Sequence, residues 1–162
     1  MTQDHAAERE LLSRLYIKDG VAYWRERSGP RAAGSLAGSV RRDGYVAIGY
    51  RAKVFKLHRI LFLHYHGYLP KEVDHIDGNP ANNHIGNLRA ATHAQNTRNA
   101  KIRKNSTTGV KNIRRRDSGH WEVRLRVGGQ CVSFGCFASL ADAIAAAEQA
   151  RETAFGEFAR HA

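Results

Sequence analysis

Between Glu72 and Asn99 the chain reads EVDHIDGNPANNHIGNLRAATHAQNTRN, with six Asn, three His and two Asp. Ile76, Ile85 and Leu88 are nearly all that a core could use from it. A stretch so poor in apolar side chains cannot offset its own ordering entropy by burial. It is therefore either a solvated loop or a site held by what flanks it. Its polar residues are types that bind metal ions and carry protons.

The flanks are ordinary. YVAIGY and AKVFKL form a hairpin turning between Gly49 and Ala52. In KLHRILFLHYHGYL the residues Leu57, Ile60 and Leu61, with His64 next in register, have helical spacing; Gly67 suits the C-cap and Pro70 follows. That helix is expected to lie under the polar stretch, with His58, His64 and His66 as structural residues. VDHIDGNP predicts a short strand running into a turn at Asp77-Gly78-Asn79-Pro80. ATHAQNTRNAKIRK predicts a helix capped by Thr92. Residues 104–109, KNSTTG, form a polar hinge.

Upstream, residues 11–50 suggest short strands broken by KDG, SGPRAAGSLAG and RRDG. Downstream, GVKNIRRR, HWEVRLRV and CVSFGCF are three strands. SLADAIAAAEQARETAFG is a helix with Ser139 as N-cap and Asp142 three residues on. The expected class is α+β, in three parts: an N-terminal extension (1–44), a ββα module (45–104), and a three-stranded antiparallel sheet on one helix (105–162).

Lys and Arg exceed Asp and Glu by 26 to 15, a formal charge of +11. Residues 98–126 carry ten basic and two acidic side chains, so most of the excess lies in one band. Such a band beside an Asn/His stretch favours a phosphate backbone as partner. No apolar run is long enough to span a bilayer. The N-terminus lacks a signal core. Cys131 and Cys136 are too few for a zinc ribbon or a disulfide framework. These features predict a cytoplasmic protein with reduced thiols and no membrane partner.

Hydrolysing a phosphodiester requires a cation for the developing charge, a base for the attacking water, and a group that orients the base. On an extended strand, Asp74 and His75 point to opposite sides, so one can face a metal and the other a water. Asn96, one turn beyond Thr92, can supply a second oxygen ligand. Asn87 can hydrogen-bond the loop or the imidazole and hold His75. Asn79, Asn82, Asn83 and Asn99 are expected to make Asx turns or brace the loop. His84 and His93 are expected to be exposed or near DNA.

Taken in order, the HR helix, DHIDGN, NNxxxNLR and the closing Asn resemble the HNH endonucleases of phages and mobile introns, over about residues 45–100. The resemblance implies the ββα-metal fold and phosphodiester cleavage to a 5′-phosphate and a 3′-hydroxyl. It implies His75 as general base, Asn87 as its brace, and Asp74 and Asn96 as ligands of one divalent ion. Asn rather than His at position 96 fits Mg²⁺ or Mn²⁺ better than zinc. A phage or mobile element acting in a bacterial host is the implied setting. No small-molecule cofactor is expected.

Residues 106–159, marked by TGVKNI, the Trp121 strand, FGCF and GEFA, are similar to the DNA-binding domain of plant ethylene-response factors. By alternation, Trp121, Val123, Leu125 and Val127 face the helix. Glu122, Arg124 and Arg126 face outward with Asn112, Arg114 and Arg116. Such a face suits the major groove of double-stranded DNA, bound as monomer or dimer. Arg98, Lys101, Arg103 and Lys104, between the modules, would hold phosphates. The rival expectation is a DNA-binding regulator with a degenerate, non-catalytic nuclease module.

Overall fold

The computed structural model describes residues 5–100, 102, 106 and 108–160. The chain divides into two compact units, Met1–His93 and Ala94–Ala162.

In the first unit, helix α1 (Ala6–Ser13) leads into hairpin β1 (Leu15–Lys18) and β2 (Val21–Trp24). Its two-residue turn, Asp19-Gly20, has φ of 50° and 75°, the left-handed pair that matches strand twist. A second antiparallel sheet has the order β3 (Ser39–Val40), β4 (Val46–Tyr50), β5 (Lys53–Lys56). The expected YVAIGY–AKVFKL hairpin is its β4–β5 pair, turning at Arg51-Ala52.

Helix α2 (Leu57–His66) follows β5 directly and ends at Gly67, whose φ of 73° is the expected left-handed cap. Leu57, Ile60 and Leu61 are buried as expected, together with His58, Phe62 and Leu63. His64 departs from the expected stripe and is exposed. Strands β6 (Glu72–His75) and β7 (Leu88–Ala91) pair antiparallel, Asp74 opposite Arg89 and His75 opposite Leu88. Helix α3 (His93–Asn99) follows Thr92 directly in the chain, and all but its first residue belong to the second unit.

Residues of the expected extension contribute to this unit's core. Leu11, Leu15, Ala22, Trp24 and Ala37 share one buried cluster with Ile48, Leu57, Ile60, Leu61, Val73 and Leu88. Their strands are too short for spacing alone to show which core they join.

The second unit has the expected sheet, ordered β10 (Gln130–Phe137), β9 (Trp121–Val127), β8 (Ile113–Arg115), with helix α4 (Leu140–Phe155) packed on it. Ser139 caps α4, its side chain accepting from the Ala141 N–H at 3.1 Å. Ala143, Ala147 and Ala150 recur at helical spacing and bury against Ile113, Val123 and Leu125. Asn112 takes φ of 67°, a conformation Asn tolerates better than most residues, and this starts β8 without a glycine. Both cysteines are free and exposed. Among the described residues no helix is long and apolar enough to cross a membrane.

Leu125 is fully buried in this small core. Leu125→Ala is expected to destabilise the second unit by about 2–5 kcal/mol. Faster amide exchange should then appear in the β8–β10 peptides and not in those of α2.

Candidate functional site

The polar stretch folds as a chain of small turns that satisfy themselves. Asp77 Oδ1 accepts from the Asn79 N–H at 2.7 Å, and Asn79 Oδ1 from the Ala81 N–H at 3.2 Å. Asn82 Oδ1 accepts from the His84 N–H, and His84 Nδ1 from the Gly86 N–H, each at 3.3 Å. Every step is an i to i+2 turn closed by a side chain. The Asx turns expected of Asn79 and Asn82 are present, and His84 is exposed as expected.

Asp77 and Asn87 clamp the loop to the strands. Asn87 Oδ1 accepts from the Asp77 N–H at 3.0 Å, while its Nδ2 donates to Asp77 Oδ1 at 2.9 Å and to the Asn82 carbonyl at 2.8 Å. Asn82 Nδ2 also donates to Asp77 Oδ2 at 2.7 Å. Burial alone would raise the Asp77 pKa. The hydrogen bonds from Asn79, Asn82 and Asn87, with a smaller effect from His75, reverse that and hold it below the usual carboxylate range.

Asp74 and His75 end β6, both 4 % exposed. Asp74 is pinned from the facing strand: Arg89 Nε donates to its Oδ2 at 3.0 Å, and Nη2 lies 2.9 Å from the same oxygen. His75 Nε2 lies 3.3 Å from Asn83 Oδ1. Its ring meets that of His58 edge-on at 4.8 Å and that of Tyr45 at 5.8 Å. Lys56 Nζ sits 4.0 Å from the Tyr45 ring centre, a cation–π contact.

Burial lowers the His75 pKa below 6.5. The Asn83 hydrogen bond and the charges of Asp77 and Asp74 oppose the shift, and Lys56 adds to it. His58, deeper in the core, is lowered to about 3 by burial first and then by His75, Lys56 and Arg59. Both imidazoles are therefore neutral at neutral pH.

Asp74 and His75 are adjacent at the end of β6, and Asn87 is tied through Asp77 to the turn that follows them. Asn87 braces the loop, as one of its two expected roles required. Asn83, expected to form an Asx turn or to brace the loop, places its Oδ1 3.3 Å from His75 Nε2. The NN of NNxxxNLR marked its position, but Asn is so common in turns that type alone does not separate it from its neighbours. His58, expected to be structural, is buried with its ring packed edge-on to that of His75.

Asn96 is half-buried on α3 and Asn99 is buried at that helix's end. His93, expected to be exposed, is so, and its Nδ1 lies 2.7 Å from Glu72 Oε1. Among the described residues no three His, Cys, Asp or Glu side chains gather as a metal site.

Two glycine turns from the N-terminal sheets back the loop. A Cβ on Gly20 would stand 2.9 Å from the Asn83 carbonyl oxygen, and one on Gly44 would stand 2.9 Å from Pro80 Cγ. Gly20 and Gly44 also have φ of 75° and 84°.

In the second unit the outward face of β8–β9 has an acid at its centre. Glu122 Oε2 accepts from Arg114 Nε at 2.7 Å and lies 3.6 Å from Arg116 Nη1. Glu122 Oε1 accepts from Ser133 Oγ at 3.3 Å and lies 4.0 Å from Arg124 Nε. The hydrogen bond from Arg114 is the main reason its carboxyl is held below the usual range; Arg116 and Ser133 contribute. The guanidinium face is therefore organised around a carboxylate, and Arg126 is exposed beside it. Arg98 stacks on Phe155 at 4.4 Å. Lys101, Arg103 and Lys104 lie outside the described residues.

A family model described as HNH endonuclease matches residues 55–98. Protein 3.8 of Escherichia phage T7 is 33% identical over 97 residues, spanning 58% of this chain and 79% of that protein. A solved structure described as DNA binding and cleavage by the HNH homing endonuclease I-HmuI is 30% identical, with a TM-score of 0.42. The match covers 53% of this chain and about half, 51%, of the other.

Gly20→Ala is expected to cost more stability than Gly29→Ala, by about 1–3 kcal/mol. Both positions have positive φ, but a Cβ on Gly29 meets nothing within 4 Å. Chemical denaturation of the two variants isolates the clash against Asn83 from the shared backbone strain.

Proposed function

The chain belongs to the HNH endonuclease family, and we propose that it is a divalent-metal-dependent endonuclease cutting double-stranded DNA with His75 as general base. The observation that carries this is the state of His75. It is a buried imidazole whose Nε2 lies 3.3 Å from Asn83 Oδ1, beside an Asp74 carboxylate that Arg89 fixes in place.

A base at neutral pH must already lack its proton, and the lowered pKa supplies that. His75 takes the proton from a water as its oxygen attacks phosphorus. The bond from phosphorus to the 3′ oxygen breaks, leaving a 5′-phosphate and a 3′-hydroxyl, and the leaving oxygen gains a proton from solvent. Asp74 and Asn96 would hold one Mg²⁺ or Mn²⁺, which when bound neutralises the charge growing on the phosphate. Asn87 acts through the loop that it braces.

The second unit's sheet face is our candidate for the element that directs cutting. Its arginines lie on one face, and Glu122 keeps Arg114, Arg116 and Arg124 from acting as loose cations. Arg98, Lys101, Arg103 and Lys104 would add phosphate contacts, each steepening the salt dependence of binding by about 0.9 on a log–log plot.

Purified protein is expected to nick or cut plasmid with Mg²⁺ or Mn²⁺ and to stop with EDTA. His75→Ala should lose at least about 100-fold in rate. If His75→Ala and wild type behave alike, the chain is a non-catalytic DNA binder. The rate should stay level as pH falls towards 6.5 and drop only below it, because the His75 pKa is lowered; an acid limb above 6.5 would contradict the assignment.

Arg124→Ala with Arg126→Ala should reduce site selectivity more than turnover on saturating DNA. A map of cut positions on a long duplex reads this directly, and an unchanged map would remove the sheet as reader.

A further inference from the structure

We infer that Glu122 is a specificity-determining residue: it holds the arginines around it as a fixed set for base edges and keeps them off the phosphate backbone. The inference rests on the reading of the second unit's sheet as the element that directs cutting. It adds which side chain aims the arginines, and that the aim is gained at the expense of general affinity.

A carboxylate on a face that meets DNA is repelled by every phosphate, so it lowers affinity for any sequence. The Glu122 side chain is only 7 % exposed, whereas those of Arg114, Arg116 and Arg124 are 56 %, 48 % and 37 % exposed. The acid therefore lies behind the guanidiniums. An approaching strand meets the cations first, with their orientation already constrained from below.

Arg114 shows the consequence. It stands directly opposite Glu122 in the β8–β9 register. Its Nε and Nη2 each lie 2.7 Å from Glu122 Oε2. That occupies one edge of the planar guanidinium and leaves the edge formed by Nη1 and Nη2 turned away from the acid. Two parallel donors suit a base edge that offers two acceptors in the major groove. An arginine without such an anchor keeps its rotamer freedom and takes the nearest phosphate, which carries no sequence information. Ser133 Oγ donates to Glu122 Oε1 at 3.3 Å and steadies the second oxygen. Arg116 Nη1 at 3.6 Å and Arg124 Nε at 4.0 Å share the same charge more loosely.

The test uses full-length protein in EDTA, so that binding is read without cleavage, and a pool of random-sequence duplexes as the probe. Wild type, Glu122→Gln, Arg114→Ala and the two combined are compared by sequencing the bound fraction. Gln keeps the size and an oxygen for Arg114 but loses the charge. Glu122→Gln should bind the unselected pool about 3- to 10-fold more tightly. Its salt dependence should steepen by about 0.9 on a log–log plot for each arginine that turns to a phosphate. Its enrichment of preferred sequences should fall about 5- to 100-fold. In the Arg114→Ala background the same substitution should change enrichment little, because the side chain it acts through is gone. In an Arg115→Ala background it should keep its full effect, since Arg115 packs over Trp121 instead. Ser133→Ala loosens the same carboxylate and should lower enrichment in the same direction by less.

Enrichment by Glu122→Gln equal to that of wild type overturns the inference, and so does an equal loss with and without Arg114. The sheet as reader fails separately: a wild-type pool with no enrichment, or the same enriched sequences after Arg124→Ala with Arg126→Ala, removes the reader and the role of Glu122 with it.

Discussion

A reciprocal pair of hydrogen bonds between Asp77 and Asn87 is what the rest of the site stands on. The Asp77 N–H and carboxylate both meet the same Asn87 amide, and that amide reaches on to the Asn82 carbonyl. The segment between β6 and β7 has almost no apolar side chains to bury. That clamp, with the side-chain-closed turns around it, offsets the entropy of holding the segment in one shape. With it, the loop leaves β6 and returns to β7 in a register that sets His75 opposite Leu88 and Asp74 opposite Arg89.

The clamp explains why two kinds of group sit side by side. Asp77 is a carboxylate saturated with donors and held ionised, and its work is structural. Asp74 is gripped at Oδ2 by one guanidinium. His75 is desolvated, its ring packed among His58 and Tyr45. Burial alone would make each polar group costly. Each is tolerated because a partner is built in, and the partners come from the turns, the facing strand and the N-terminal sheets.

The second unit handles charge by a different device. Arg114, Arg115, Arg124 and Arg126 share one small sheet, where like charges would repel one another. Glu122 at the centre of the face draws Arg114, Arg116 and Arg124 towards a common point. Alternation along β9 sends Val123 and Leu125 inward to the alanine face of α4. One strand therefore serves a core and a charged surface at once.

Much of this was legible in the residues. Helix α2 and its glycine cap, the β4–β5 hairpin, the C-terminal sheet and its capped helix follow from spacing and turn chemistry, which act within a few residues. So did the pairing of Asp74 with His75, because their motif is local. Tertiary structure decided what depends on distance: that residues 11–48 complete the first core, that Gly20 and Gly44 support the loop, and that Asn83 takes the hydrogen bond to His75. Several asparagines there have the same donors and acceptors, and only the folded backbone aims one oxygen at a ring. Composition can supply the groups, but direction comes from packing between segments far apart in the chain.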